Sequence, residues 1–353
     1  MVSTEDKGLL FIDGSYGEGG GQLLRSALSL SIILNKPFKI KNIRANRPKP
    51  GLQPQHLTCV KACQRISSAL VEGDHLDSQE LIFIPTKKPE NKLYHFQIGT
   101  AGSTSLLFQT LLYPLAFSQG GTLLLEGGTH VPYSPSYHYL KEVFLPLAEL
   151  FGFRASLELE RVGFYPRGGG KIRAKVWPIK EIKVPKLSPG FRVERLKILS
   201  LISEELPEHI MVRQANSALQ ILKENNLEGE VYFEKVKSSS PGTELLIVAI
   251  NGLKRAGFSS LGKKGLPAEE VGRNTSHMLL KFLETSAQFE EHLGDQLLLP
   301  ASLCLLQGKD KSFQYSVSKI TKHLLTQAWL ISQFLENIKI TIEEPGRVLI
   351  ERR

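Results

Sequence analysis

Long apolar runs and paired cysteines are both missing from this chain of 353 residues. Its apolar stretches, such as residues 27–34, are broken by serines well short of the roughly 18 residues that a membrane-spanning helix needs. The three cysteines, Cys59, Cys63 and Cys304, form neither a disulfide framework nor a paired metal motif, so we expect them in the core of a protein from a reducing compartment. The first residues carry no basic region ahead of an apolar stretch, which predicts no secretory signal.

Several familiar motifs of nucleotide and metal chemistry are also missing. No Gly-Lys-Ser/Thr completes a Walker A loop, and the glycines at 17–21 do not have the Rossmann spacing. The histidines show no H-E-x-x-H or comparable metal-binding spacing. The Lys-x-Asp-Gly motif of lysine-type nucleotidyl ligases is absent, because its nearest match, at 11–14, begins with phenylalanine. These four classes of site are therefore not expected.

The chain does have an excess of positive charge. Lysine and arginine number 44 against 35 acidic residues, which gives a net charge of +9 and a pI near 9.3. Such a balance favours polyanionic partners, such as nucleic acid or nucleotides, although it also serves solubility alone. Hydrophobic residues at 41% and charged residues at 22% describe a soluble globular protein rather than a disordered one.

A pattern of strand, glycine-rich loop and helix occurs three times. It opens with a strand at 9–13 and a helix at 22–34, restarts at 99–105 and returns more loosely after residue 280. We therefore predict an α/β (α+β) fold of three repeated βαβαββ units. A proline-punctuated stretch without this pattern, 181–272, indicates an inserted smaller α/β domain. The predicted boundaries are 1–183 for repeats one and two, 184–278 for the insert and 279–353 for repeat three.

The glycine-rich loop of the first repeat lies between a strand and the start of a helix. There the free backbone N–H groups and the helix dipole favour an anion, which predicts a phosphate site. Gln22, Arg25 and Ser29 share one face of the following helix, with Arg25 just behind Glu18. A plain amphipathic helix with a solvated arginine is the alternative.

A second candidate phosphate-binding segment is pinned by three prolines between residues 44 and 54. It carries Arg44, Arg47 and Lys49, and Gln55 and His56 follow at the next helix start. Arginines on a stiff loop suit phosphates, since the guanidinium donates paired hydrogen bonds and a pre-ordered loop loses little entropy on binding. A solvated cluster of charges is the alternative.

The last repeat contributes His323 at the opening of a predicted helix, 322–335. A helix N-terminus lowers the proton affinity of a histidine, which keeps the imidazole neutral and nucleophilic at pH 7. A capping or surface histidine is the plainer interpretation. Asp295 and Gln296, near another predicted helix start, could bind a cation or a hydroxyl group.

Taken together, five segments of this chain resemble the RNA 3'-terminal phosphate cyclase family, in family order and across nearly the whole sequence. These segments are GSYGEGGGQLLR at 14–25, IRANRPKPGL at 43–52, QHLT at 55–58, GFYPRGGG at 163–170 and KHLLT at 322–326. The resemblance implies three βαβαββ units like those of enolpyruvyl transferases, with a smaller inserted domain. It also implies ATP-dependent conversion of an RNA 3'-phosphate to a 2',3'-cyclic phosphodiester through a covalent histidyl-AMP.

The resemblance also implies roles for individual residues. His323 would be the nucleophile, and Glu18 would contact ATP or a divalent cation, Mg²⁺ or Mn²⁺. The remaining roles fall into two groups. Arg25, Arg44, Arg47, Gln55 and His56 would hold RNA or nucleotide phosphates, and Gln109, Pro132, Asp295 and Gln296 would line the nucleotide pocket. Arg44 and Arg47 could instead stabilise the departing pyrophosphate.

Two other functions share this predicted fold. A catalytically inactive, RNA-bound scaffold of ribosome assembly would lack the nucleophile, whereas His323 and Glu18 are present here. An enolpyruvyl transferase would need neither this histidine nor a basic surface. We therefore expect a cytoplasmic enzyme that acts on RNA 3'-phosphate ends without a membrane partner, or a nuclear one in a eukaryote.

Overall fold

The computed structural model describes residues 8–353, which form three small mixed sheets and one antiparallel sheet, with helices packed against them. Three of the sheets belong to units with related connections, and the fourth belongs to a segment inserted between the second and third units. This mixed architecture confirms the predicted α+β class. Within residues 8–353, none of the helices combines the length and the apolar character that crossing a bilayer requires.

The first unit has the predicted order of strands and helices, with a four-stranded sheet in the order β1-β2-β4-β3. Its elements are β1 (Leu10–Asp13), α1 (Gly21–Leu34), β2 (Phe38–Lys41), α2 (Pro54–Ser67), β3 (Leu70–Glu72) and β4 (Leu81–Ile84). The apolar spacing of the sequence predicts a helix over residues 55–70, but Ser68 adopts a left-handed φ of 49° and ends α2 at Ser67. The following residues pair with β4, so β3 was missed.

The second unit repeats this topology with the sheet order β5-β6-β8-β7. Its elements are β5 (Leu93–Gln97), α3 (Thr104–Ala116), β6 (Gly121–Gly127), α4 (Tyr137–Tyr139), a π-helical turn (Leu140–Phe144), α5 (Leu145–Leu150), β7 (Ala155–Arg161) and β8 (Gly170–Val176). The Ser103 hydroxyl caps α3 by accepting from Leu106 N at 3.2 Å. In both units the first strand runs parallel to the second and the remaining pairs are antiparallel.

The inserted segment forms a four-stranded sheet of its own, in the order β10-β9-β11-β12. Its elements are β9 (Arg195–Ser203), α6 (His209–Glu224), β10 (Glu230–Val236), β11 (Thr243–Asn251), β12 (Lys254–Leu261) and α7 (Ala268–Leu283). The boundary predicted at residue 278 falls inside α7, and the division into three domains stays a prediction.

The third unit lacks a full first strand. Its elements are α8 (Glu291–Gln307), β13 (Ser312–Ser316), α9 (Lys322–Phe334), β14 (Ile338–Glu343) and β15 (Arg347–Arg352), with the sheet order β13-β15-β14. A single parallel bridge between Phe289 and Val317 stands where the other units have their first strand. The strand β13 was missed, although Phe313 and Tyr315 alternate with polar residues as in a half-buried strand.

The strand β11 joins two hydrophobic cores. Leu245, Ile247 and Ala249 face the core of the inserted segment. The residues between them, including Leu246 and Val248, face the core that the three repeated units share. Because successive side chains of a strand point to opposite faces, one buried strand serves both cores.

Candidate functional site

A cleft of about 1600 Å³ separates the repeated units from the inserted segment. One wall comes from the helices α1, α3, α8 and α9, and the other comes largely from β12 and the residues after it. Six of the residues predicted for the site line this cleft, namely Arg25, Gln109, Pro132, Asp295, Gln296 and His323. They come from all three repeated units, so the fold brings together residues that lie far apart in the sequence.

His323 occupies the first turn of α9, close to the start of the predicted helix. The Thr321 hydroxyl caps this helix by accepting from Leu324 N at 3.0 Å. The imidazole Nδ1 lies 2.9 Å from Gln22 Oε1 and 2.7 Å from Glu18 Oε2. Two oxygen acceptors at Nδ1 favour the tautomer that carries its proton there, which leaves the lone pair on Nε2.

The other nitrogen of this ring is free. Among residues 8–353, Nε2 of His323 has no hydrogen-bond partner, and 45% of the side chain is exposed. Burial lowers the pKa of His323 below its usual 6.5, and the charges of Arg25 and Arg47 add to this, while Asp295 opposes them. The imidazole is therefore neutral at pH 7 and presents an accessible nucleophilic nitrogen.

The glycine loop places Glu18 beside this histidine. Gly17 and Gly19 adopt left-handed φ angles of 62° and 60°, which favour glycine. A Cβ on Gly17 would overlap the hydroxyl of Thr326, which accepts from Glu18 N at 3.1 Å. The loop can therefore lie directly against α9 and hold the Glu18 carboxylate, which is 17% exposed, next to the imidazole.

The start of α1 is open to an anion. Gly20 provides no side chain to cap the helix, so the first N–H groups of α1 stay available. A Cβ on Gly21 would overlap the ring of His56 and come within 2.9 Å of Arg25. The absence of a side chain at Gly21 thus lets α1 start beside the guanidinium of Arg25.

Of the two predicted phosphate-binding arginines on the proline loop, only Arg47 contacts Glu18, the residue beside the histidine. It forms an ion pair with Glu18 Oε1. Arg44 instead donates to carbonyls of its own loop, including Gly51 O at 3.2 Å, and has a left-handed φ of 55°. Neither arginine lines the cleft, and neither does Glu18, so this group stands at the edge of the cleft.

Gln55 and His56 serve the framework near this edge. Gln55 Oε1 accepts from Ser103 N at 2.8 Å, and His56 Nδ1 accepts from Gln53 N at 3.3 Å at the start of α2. Burial lowers the pKa of His56 to about 3, with further contributions from Arg25 and Arg44, so its ring is neutral. Neither residue lines the cleft, and their predicted contact with phosphates stays a prediction.

Polar side chains from α3 and α8 meet inside the cleft. Gln109 Nε2 donates to Gln296 Oε1 at 2.8 Å, and Gln296 Nε2 donates to His292 O at 2.8 Å. Burial raises the pKa of Asp295 to about 7, against the opposing charges of His323 and His292. Burial also lowers the pKa of Arg25, whose guanidinium has no hydrogen bond or ion pair within residues 8–353. Arg25 is thus a buried cation without a direct ion pair in the described part of the chain, although the charges of Cys59 and Asp295 oppose the lowering of its pKa.

The sequence pattern missed several residues of this region. Gln22 was identified only as part of a helix face, and Thr326 was not singled out, because a hydroxyl in a helix carries no distinctive pattern. Lys263 and Lys264 of the inserted segment and Lys319 are exposed and line the cleft. The adjacent lysines at 263–264 beside a glycine were the one signal that could have indicated the opposite wall.

Comparison with known proteins identifies the family. A family model described as RNA 3'-terminal phosphate cyclase matches residues 16–342. Relatives named RNA 3'-terminal phosphate cyclase include one from Gloeothece citriformis, 41% identical over 344 residues (95% of this chain and 97% of the relative), and one from Thermococcus kodakarensis, 42% identical over 337 residues (95% of each). Another, from Sulfolobus acidocaldarius, is 41% identical over 329 residues, which is 93% of this chain and 95% of the relative. The chain belongs to the RNA 3'-terminal phosphate cyclase family.

Proposed function

We propose that this protein is an ATP-dependent RNA 3'-terminal phosphate cyclase that works through a covalent histidyl-AMP. The observation that carries the proposal is the arrangement of His323: Nδ1 is held by Gln22 and Glu18, and Nε2 is exposed without a partner in the described chain. A histidine held in this way is oriented as a nucleophile. The names of the relatives support the choice of substrate.

In the first step, Nε2 of His323 attacks the α-phosphorus of ATP. An N–P bond forms, the bond between the α-phosphorus and the bridging oxygen breaks, and pyrophosphate leaves with the electron pair. The lowered pKa of His323 keeps the attacking lone pair free of a proton at pH 7. Glu18, beside Nδ1, stabilises the positive charge that develops on the ring.

In the next two steps the AMP is transferred and then expelled. An oxygen of the RNA 3'-phosphate attacks the same phosphorus, so the N–P bond breaks and His323 is regenerated. The neighbouring 2'-OH then loses its proton and attacks the activated 3'-phosphorus, and AMP leaves. Adenylylation replaces a poor leaving group with a good one while the hydroxyl is already adjacent, so proximity accelerates closure of the ring.

The cleft residues supply the recognition of nucleotide and phosphates. Gln109, Pro132, Asp295 and Gln296 line the part of the cleft that we assign to ATP. Arg25, a buried cation without a direct ion pair in the described chain, provides charge for a phosphate at the open N-terminus of α1. Arg47 and Arg44, with Gln55 and His56 nearby, would bind RNA phosphates, and the two arginines could instead stabilise the departing pyrophosphate.

Glu18 is the residue that suits a divalent cation, Mg²⁺ or Mn²⁺. Its Oε2 is buried and receives no hydrogen bond of good geometry within residues 8–353, although His323 Nδ1 lies close to it. One carboxylate fits a cation that takes most of its ligands from the triphosphate and water. When bound there, the cation would neutralise negative charge on the triphosphate.

The first half-reaction provides the test. Purified protein is incubated with α-labelled ATP and Mg²⁺ or Mn²⁺ without RNA, and covalent label is compared between wild type, His323→Ala and His95→Ala. His95 is the matched control: it contacts Glu126 at 2.9 Å and is 44% exposed, but it lies outside the cleft. We expect an acid-labile, alkali-stable label in wild type and in His95→Ala, and none in His323→Ala.

Addition of RNA completes the experiment. RNA with a 3'-phosphate should discharge the label and yield a 2',3'-cyclic end, whereas RNA with a 3'-hydroxyl should not be cyclised. Wild type that takes up no label with either cation, but still binds RNA, would contradict the histidyl-AMP route. The inactive RNA-binding scaffold would then be the better description.

A further inference from the structure

Two buried histidines and a buried glutamate meet where the inserted segment packs on the second unit. His130 lies in the loop after β6, His138 in α4, and Glu244 on β11 of the inserted segment. Their side chains are no more than 8% exposed. They take no part in the chemistry proposed for His323. Among the described residues, this is the one group of three histidine, cysteine or acidic side chains whose ligand atoms converge closely enough for a metal ion.

The separations of the three facing atoms suit a small metal ion. His130 Nε2 lies 2.8 Å from His138 Nδ1 and 3.4 Å from Glu244 Oε2, and the third side, His138 Nδ1 to Glu244 Oε2, is 3.8 Å. A triangle with these sides has a circumscribed circle of radius about 2.0 Å, so one point lies about 2.0 Å from all three atoms. Zinc binds histidine nitrogen and carboxylate oxygen at about 2.0–2.2 Å.

The carboxylate of Glu244 has only loose contacts, with His130, His138 and Ser136 as its polar neighbours. Both oxygens of Glu244 are buried, and neither accepts a hydrogen bond of good geometry from any residue in 8–353. Burying an unpaired carboxylate is costly, so such a group is normally paired or coordinates a metal. The orphaned oxygens belong to the same carboxylate that faces both histidines.

The outer nitrogens of both histidines are held as they are in metal sites. His138 Nε2 lies 3.2 Å from Glu234 Oε2, and His130 Nδ1 lies 2.8 Å from Thr129 Oγ1. Histidines that bind a metal through one nitrogen usually donate from the other to a carboxylate or another oxygen. The inner nitrogens, His130 Nε2 and His138 Nδ1, are thus left to face Glu244.

We propose that His130, His138 and Glu244 bind a divalent first-row cation, with Zn²⁺ as the preferred ion. Two imidazoles and one carboxylate are a ligand set that zinc uses, and a fourth position remains for water. His130 and Glu244 also line the cleft, while His138 and Glu234 line a second cavity, of about 880 Å³. The ion would therefore join the inserted segment to the second unit at the partition between two cavities.

The test uses the full-length protein, stripped with a chelator and titrated with Co²⁺ and then Zn²⁺. Visible absorption reports nitrogen coordination of cobalt, and elemental analysis gives the zinc stoichiometry. Wild type and the control His95→Gln should bind one ion per chain. Glu244→Gln, which keeps the shape of the side chain, should weaken binding by at least about 100-fold. Zinc should raise the unfolding temperature of wild type but not of Glu244→Gln.

The alternative is a network without metal, in which a protonated His138 lies between Glu234 and Glu244. No cobalt absorption in wild type, or equal affinity in wild type and Glu244→Gln, would overturn the proposal in favour of that network. Should Glu244→Gln fail to fold by circular dichroism, Glu234→Gln replaces it, since Glu234 is 41% exposed. If Glu234→Gln binds the metal about 10-fold or more weakly than wild type, the site is supported, and an unchanged metal affinity overturns it.

Discussion

Two histidines of this protein contact glutamates in opposite ways. His323 has one ring nitrogen beside Glu18 and Gln22 and the other without a partner among residues 8–353, and almost half of its side chain is exposed. His138 has both nitrogens engaged, one beside Glu234 and one beside His130 and Glu244, and it is almost fully buried. The same two residue types thus leave one nitrogen open to the cleft in one place and enclose both nitrogens in the other.

The difference lies in the elements that present each histidine. His323 sits in the first turn of a helix, where the glycine loop supports one side of the ring and the cleft leaves the other open. His138 sits in a short helix covered by two strands of the inserted segment. Exposure of one nitrogen, rather than the presence of a glutamate, separates a nucleophile from a structural or metal-binding histidine.

Replacing His323 and His138 by glutamine, each in a separate variant, should give the largest difference in cyclisation rate. His323→Gln removes the proposed nucleophile, so cyclisation of RNA 3'-phosphate should fall by at least about 10⁴-fold. His138→Gln should retain cyclisation within about 10-fold while it loses metal binding. The measurement is single-turnover cyclisation with both variants checked for folding. Comparable losses in the two variants would remove the distinction drawn between them.

Asp295 is buried near His323, so the exposed histidine has a buried carboxyl as its neighbour. We expect this carboxyl to make the free energy of unfolding depend on pH. Its folded pKa of about 7 exceeds the ordinary 3.8, so the folded state retains a proton that the unfolded state releases. The protonated Asp295 carboxyl therefore contributes fully to the free energy of unfolding below pH 4. This contribution, up to about 4 kcal/mol, is lost as the pH rises to about 7.

Asp295→Asn should therefore lose less stability than wild type between pH 4 and pH 8. Urea unfolding at several pH values measures this difference, and Asp310→Asn, at a partly exposed position outside the cleft, provides the control. Parallel curves for wild type and Asp295→Asn would show that the buried carboxyl does not hold its proton.

Glu18→Gln should remove the carboxylate that lies beside Nδ1 of His323. Loss of the carboxylate removes charge beside Nδ1 and the ion pair with Arg47, so we expect covalent labelling to slow by about 10²-fold. The matched change is Glu126→Gln, which removes the partner of the exposed His95 outside the cleft and should leave labelling unchanged. Equal rates in Glu18→Gln and wild type would contradict the role assigned to Glu18.

The smallest effects are expected from two glycines with similar backbone angles. Gly252→Ala, with a φ of 56° and open space around it, should cost about 1 kcal/mol of unfolding free energy. Gly17→Ala, with a φ of 62°, should cost about 2–3 kcal/mol, because its Cβ would also overlap Thr326. Chemical denaturation of both variants measures the difference, and equal costs would mean that the loop moves away from α9 freely.

The sequence predicted the α+β class and six of the residues that line the cleft, because glycine loops and helical periodicity are local signals. His323 and the glycine loop were expected in one site, and the structure brings them into contact. The contact of His130 and His138 with Glu244 was not predictable, since these residues come from separate elements and no spacing rule links them. Gln22 and Thr326 were missed as contacts because their partners lie about 300 residues away.

The strand shared by two cores has a consequence for hydrogen exchange. Separating the inserted segment from the repeated units would expose the face of β11 that packs in the core of those units. Amide protons of β11 can therefore exchange only when both cores are disturbed, while those of the edge strand β10 need a local opening alone. Within the inserted segment, β11 should therefore exchange its amide protons only on unfolding of the whole molecule, whereas β10 should exchange them by local opening.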